Sequence, residues 1–182
     1  MTAPEYIQLK AYARIDGALL SVLLVLFFAS YIGGFTSPIY GLFSMGIAVV
    51  IPFFVARRLR KFRDEDLEGI ISFLRAWAYV ILVFFYAGIL FAIAQCIYFA
   101  YFDNGYMLQS LTEAMNTPEA TAMIAQYNMG DAMNESLHLL QSMRPIDIAL
   151  NSLTFLITIG IVLGMPIAAF MQRKHIEVKN EQ

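Results

Sequence analysis

Long apolar stretches alternate with short charged ones, on a scale too coarse for a soluble fold. The apolar runs cover residues 17–35, 38–56, 70–102 and 146–171, each close to or above the ~20 residues that carry a helix across a ~30 Å hydrocarbon core. The third is the longest, without a charge from Ala76 to Phe102. As a helix rising ~1.5 Å per residue it is ~40 Å long and reaches both headgroup layers. Trp77 and Tyr79 near one end, with Tyr98, Phe99, Tyr101 and Phe102 at the other, form the aromatic belts that pin a span at its two interfaces. The pattern predicts an all-α integral membrane protein with four transmembrane helices and a single membrane domain over residues 1–182.

The segments between the runs refine this picture. Residues 4–16 mix Tyr6, Ile7, Leu9 and Tyr12 with Glu5, Lys10 and Arg14, which predicts an interfacial helix leading into span one, started by Thr2 and Pro4. That start resembles a signal peptide, but the apolar run continues to Phe35 with no small-x-small cleavage site, so an uncleaved anchor is expected. Gly33, Gly34, Thr36, Ser37 and Pro38 break the helix after it has crossed. Pro52 removes a hydrogen bond inside span two and predicts a kink. Between spans two and three the basic run Arg57, Arg58, Arg60, Lys61, Arg63 meets the acidic Asp64, Glu65, Asp66 and Glu68, which predicts a charged hinge.

Residues 103–145 are too polar to cross and too long for bare loop. They predict three short amphipathic helices. Asp103 or Asn104 caps the first, which bears Met107, Leu108, Leu111 and Met115. Thr117, Pro118 and Glu119 start the second, with Ala120, Met123, Ile124 and Tyr127 at helical spacing. Gly130 and Asp131 separate the third, with Met133, Leu137 and Leu140 on one face. None is long enough to be stable alone in water.

Charge sets the expected threading. Four spans place Lys10, Arg14, Arg57, Arg58, Arg60, Lys61, Arg63, Arg75, Arg173, Lys174 and Lys179 on one side and Arg144 on the other. By the positive-inside rule both termini are expected in the cytoplasm of an inner-membrane protein, with 103–145 outside. That outer segment carries Asp103, Glu113, Glu119, Asp131 and Glu135, so it is acidic. Composition agrees: 59% of residues are hydrophobic and 14% charged, with mean hydropathy +0.64, against ~25% charged in soluble domains. The bilayer is the expected partner, and nothing in the charge distribution points to nucleic acid.

Four short motifs carry a resemblance. Tyr12-Ala13-Arg14-Ile15-Asp16-Gly17 precedes span one. Phe62-Arg63-Asp64 and Gly69-Ile70-Ile71-Ser72-Phe73-Leu74-Arg75-Ala76 lead into span three, and Gly164-Met165-Pro166-Ile167-Ala168-Ala169 closes span four. Together they resemble an uncharacterised bacterial family, the domain of unknown function 4199. The resemblance implies a four-span helical protein of a Gram-negative inner membrane and no assigned activity. Members commonly have an Asp-Pro turn after span three, where this chain has Asp103-Asn104-Gly105.

Candidate chemistry is sparse. Asp147, Asn151, Thr154 and Thr158 share one face of span four. They read either as the polar lining of a solute or proton path or as a helix-start acid followed by residues that hold neighbouring helices. Gln95 is expected to make an interhelical hydrogen bond, with Asn151 as candidate acceptor or donor, and Cys96 to be a packing residue, since no cation neighbours it in sequence. Arg75 begins span three and can snorkel, and Asp16, at a similar depth on span one, is its candidate ion-pair partner. Gly160 with Gly164, and Gly88 with Ala92, provide small-residue notches for close helix approach, to another span or another copy.

Six of the ten methionines and His138 lie in 103–145. Their spacing follows apolar helix faces, which favours an adaptable surface over copper binding. With no nucleophile–base pair, metal-ligand spacing or phosphate loop, no enzyme, metal or cofactor is expected. Two functions remain: a non-enzymatic accessory or scaffold protein presenting an acidic, Met-rich outer surface to a protein partner, or a component of a small-solute or ion transporter or channel, as a homo-oligomer, using the span-four stripe.

Overall fold

A computed structural model describes residues 2–173; Lys174 and Lys179 of the charge count lie outside the described residues. The helices are α1 (Ala3–Gly34), α2 (Pro38–Asp66), α3 (Phe73–Tyr101), α4 (Tyr106–Met115), α5 (Pro118–Gln126), α6 (Gly130–Ser142) and α7 (Pro145–Met171), and there are no strands among the described residues. Four of them, α1, α2, α3 and α7, are long and apolar enough to cross a membrane.

The helix leading into span one is continuous with it, and the one expected break after span two is not there. The interfacial helix and span one form the single helix α1, because nothing between Pro4 and Gly34 interrupts the backbone ladder. Its start is satisfied by Glu5, whose Oε2 accepts from the Thr2 N–H at 2.6 Å. The charged run is not a hinge: α2 continues through Pro52 and the basic residues to Asp66. Opposite charges four residues apart explain this, with Arg60–Asp64 and Lys61–Glu65 each at 3.6 Å on the helix surface. The true turn is 67–72, where Glu68 and Gly69 take the left-handed region at φ +52° and +81° and the Gly69 N–H donates to the Arg63 carbonyl at 2.9 Å.

The described chain falls into two compact units, one of the residues up to Phe91 together with those from Ser152 on, the other Ala92–Asn151. In the first unit α3 is the central helix. Ala76, Tyr79, Val80, Val83, Phe84 and Ala87 are all fully buried, and 44% of its most apolar window is inside, against 17–28% for the other three long helices. The outward faces of those helices are left to lipid. Glycines let neighbours close on α3. Gly17 of α1 sits against Tyr86, Val83 and Ala87, and Gly160 and Gly164 of α7 against Phe84 and Trp77. The small-residue notch of α7 is therefore filled within the chain, as is Gly88 by Leu153 and Leu156.

In the second unit two of the three short helices, α4 and α5, begin beside side chains that accept their first N–H groups. Both Asp103 carboxylate oxygens accept backbone N–H groups, from Gly105 and Met107 at 3.1 Å. Asn104 and Gly105 both take positive φ, +45° and +82°, which suits the two residue types that reach that region most easily. Thr117 Oγ1 accepts from the Ala120 N–H at 3.4 Å. No residue of α4, α5 or α6 is buried.

Candidate functional site

The polar groups of the first unit gather at the end of the long helices where the charges lie. On α1, Glu5, Gln8, Tyr12 and Asp16 recur at three- and four-residue intervals and so share a face. Asp16 is the deepest and is only 2% exposed. An isolated carboxylate there would lose its hydration at large cost; Asp16 instead forms an ion pair with Arg58 of α2 and accepts the hydroxyl of the buried Tyr79 of α3. Tyr79 stacks on Phe62 with ring centroids 5.1 Å apart and planes 8° from parallel, and Phe62 meets Tyr12 at 5.0 Å. The Tyr12 hydroxyl donates to Asp66. Three aromatic rings thus lie between two carboxylates, tying α1, α2 and α3 together.

Arg75 takes different partners from the one its depth suggested. Its Nη1 donates to Glu5 at 3.2 Å and its Nη2 to Gln8 Oε1 at 3.3 Å, while its guanidinium carbon lies 5.9 Å from the Phe62 ring centroid. The side chain runs toward the charged end, as snorkelling requires. Because α2 stays helical past Ala56, Arg58 reaches the level of Asp16, and a tyrosine four residues beyond Arg75 fills the α3 position there. Among the described residues Arg75 Nε has no hydrogen-bond partner.

Arg63 is buried and acts as a clasp. Its Nε and Nη2 donate to Asp64 at 2.7 and 3.1 Å, and its Nη1 to the Met171 carbonyl at 2.9 Å. Next to it Ile71 and Arg173 exchange backbone hydrogen bonds of 3.1 and 3.0 Å. Arg63→Ala should therefore loosen the end of α7. Hydrogen bonds to a charged group contribute ~1.5 to 3 kcal/mol, so amide exchange at Ile71 and Arg173 should accelerate by roughly ten- to a hundredfold, while amides in the middle of α3 stay protected.

A pocket of about 240 Å³ opens beside this cluster, lined by Tyr12, Ile15 and Asp16 of α1 and by Arg58, Lys61, Phe62, Glu65 and Asp66 of α2. In the second unit another, of about 200 Å³, is lined mainly by apolar side chains, among them Phe99, Met107, Leu108, Leu111, Leu140 and Met143. No cluster of three or more His, Cys, Asp or Glu suited to a metal ion occurs among the described residues.

The span-four stripe lies on the surface. Asn151, Thr154 and Thr158 are exposed; Thr158 donates to the carbonyl of Thr154 in its own helix at 2.9 Å. Asp147 pairs with Arg144 Nε and Nη2 at 2.8 and 2.9 Å. The face of α7 that is buried carries Ala149, Leu156, Gly160 and Ala168, and Asn151, two residues and ~200° around the helix from Ala149, points away from it. Gln95 consequently does not bond Asn151: it is buried, and its Oε1 has no hydrogen-bond partner among the described residues.

Asp16 and Arg75 are thus interhelical polar residues with partners other than each other, and Arg58, Tyr79, Tyr12 and Arg63 complete the cluster. The signal for them was the shared spacing of Tyr12 with Asp16 and of Arg58 with Phe62. Tyr12, Asp16, Phe62, Arg63, Asp64, Ile71 and Arg75 all belong to the short motifs singled out in the sequence. No curated protein and no solved structure matches the chain. A family model described as a protein of unknown function, DUF4199, matches residues 12–173, which takes in the cluster apart from Glu5 and Gln8, and the chain belongs to that family.

Proposed function

We propose that this chain is a non-enzymatic accessory protein of a bacterial inner membrane, threaded so that the charged end of its long helices is cytoplasmic and α4–α6 stand outside, where they dock a protein partner. The observation that carries the reading is that three consecutive helices, thirty-odd residues, bury no side chain. Met123, Tyr127, Met129 and Leu139 are instead exposed, and exposed apolar groups rimmed by polar ones mark interaction sites. Methionine suits a surface that must adapt to its partner. Glu113, Glu119, Asp131 and Glu135 are exposed around them, so the fitting partner is an amphipathic protein segment with a basic rim. The threading rests on the lysine and arginine asymmetry.

Transport has less support. Asn151, Thr154 and Thr158 face outward, so a conduit along α7 would have to form between copies.

Photoreactive residues at Met123 and Leu139, activated in native membranes, test the docking reading. A discrete protein adduct is expected. Its yield should fall about tenfold when Glu119 and Glu135 are both changed to lysine, since each reversal replaces attraction by repulsion. Adducts only with lipid or with the chain itself, or a protein adduct indifferent to the reversal, would sink it.

A further inference from the structure

The pocket between α1 and α2 has a charge order that matches a particular class of ligand. Along α2, Arg58, Lys61, Phe62, Glu65 and Asp66 lie on one face. The two cations are on the side of the apolar stretch that ends at Ala56, and the two carboxylates are about 9 Å further from it along the axis. A ligand seated here meets positive charge first and negative charge beyond. The pocket residues carry two cations against three carboxylates, which disfavours a purely anionic occupant. A dipole with its anionic group deeper and its cationic group shallower is matched.

Donors and acceptors remain open for such a ligand. Asp16 engages Nε and Nη2 of Arg58, leaving Nη1 without a protein partner among the described residues. Asp66 accepts one hydroxyl, through Oδ1. Lys61 and Glu65 are paired only at 3.6 Å, across an exposed surface, where exchange for a ligand is inexpensive. The volume of about 240 Å³ falls below the ~300 to 1,000 Å³ of pockets that enclose a whole drug-sized molecule. It suits a headgroup.

One wall identifies the source of that headgroup. Ile15 lines the pocket, and from it Ile15, Leu19, Val22 and Leu26 form an exposed apolar stripe, at i, i+4, i+7 and i+11, down the membrane-crossing part of α1. A headgroup in the pocket can therefore remain attached to acyl chains lying on that stripe.

We propose that this pocket binds the headgroup of a zwitterionic phospholipid with a primary ammonium, of the phosphatidylethanolamine type, its phosphate on Arg58 and Lys61 and its ammonium on Glu65 and Asp66. Carboxylates accept hydrogen bonds from ammonium N–H groups, which successive N-methylation removes. The preference is therefore for the primary amine over its trimethylated form.

The full chain, purified in detergent and stripped of lipid, is offered equimolar dioleoyl phosphatidylethanolamine, its mono-, di- and trimethylated forms and dioleoyl phosphatidylglycerol, and retained lipid is counted by native mass spectrometry. Retention of phosphatidylethanolamine should exceed that of the trimethylated lipid and of phosphatidylglycerol by about five- to tenfold, falling stepwise with methylation. Lys61→Ala should lower it by about fivefold. The pair E65Q and D66N should erase the methylation dependence and favour phosphatidylglycerol. Equal retention across the series in the unaltered chain would overturn the proposal, whatever the variants do. Binding of soluble phosphoethanolamine as tight as that of the lipid would overturn the lipid assignment.

Discussion

Replacing Arg58 by methionine should destabilise the folded chain in detergent by about 3 to 5 kcal/mol, the range for stripping one partner from a buried ion pair. The size follows from where Asp16 sits. At 2% exposure it has little access to water, and among the described residues Tyr79 supplies the one other side-chain donor to it. Arg58, at 25%, is nearer the surface, so the converse change, Asp16→Leu, strands a cation that can turn toward water and should cost less. The double variant, Arg58→Met with Asp16→Leu, should recover much of the loss, because an apolar pair of similar volume replaces the ion pair at little or no net cost. Unfolding in mixed micelles of rising sodium dodecyl sulfate, followed by circular dichroism, measures all three. If the double variant is no more stable than Arg58→Met alone, the pair is not the element that holds α1 and α2 at this level.

The same pair shows where sequence reasoning reached and where it stopped. The four long helices were legible because hydrophobicity over twenty residues is a cumulative signal, insensitive to neighbours. Two of the short helices were legible because their starts are local chemistry: Asp103 and Thr117 accept backbone N–H groups within a few residues of themselves. The helical nature of the charged run was within reach as well, since Arg60–Asp64 and Lys61–Glu65 have the spacing that supports a helix, but a change of sign from basic to acidic looks like a boundary when only polarity is counted.

Partner assignment was not legible. Asp16 could be named as interhelical from its depth, yet whether Arg58 or Arg75 meets it depends on how far one helix is slid along another. That register is fixed by contacts such as Gly17 on Tyr86 and Gly160 on Phe84, which carry no polarity signal. The stripe of α7 failed to predict its facing for a related reason. Two faces of that helix have regular spacing, one with Asn151, Thr154 and Thr158, the other with Ala149, Leu156 and Gly160, and in lipid the small residues, not the polar ones, decide which face is buried.

Gly17 makes that last point measurable. A Cβ at this position would lie 2.7 Å from the Tyr86 Cβ, 2.9 Å from the Val83 carbonyl oxygen and 3.1 Å from the Ala87 nitrogen. Two of those three atoms are backbone of the central helix, so no rotamer change can clear them; α1 and α3 must move apart. Separation would withdraw Asp16 from Tyr79 and thin the packing that, between helices in lipid, takes the place of a hydrophobic driving force. Gly17→Val should therefore cost about 3 kcal/mol, the upper end of what overpacking usually exacts. Its control is the same substitution at Gly46 of α2, where nothing lies within 4 Å. There valine should be neutral or stabilising by a few tenths of a kcal/mol, since glycine is the poorer helix former. Both variants change one glycine to one valine in an apolar helix, so any general effect of β-branching or hydrophobicity cancels between them. A difference of more than ~2 kcal/mol in the unfolding series would place the α1–α3 contact at Gly17 as described; equal stabilities would mean that α1 meets α3 elsewhere, and that the Asp16–Tyr79 bond depends on another crossing.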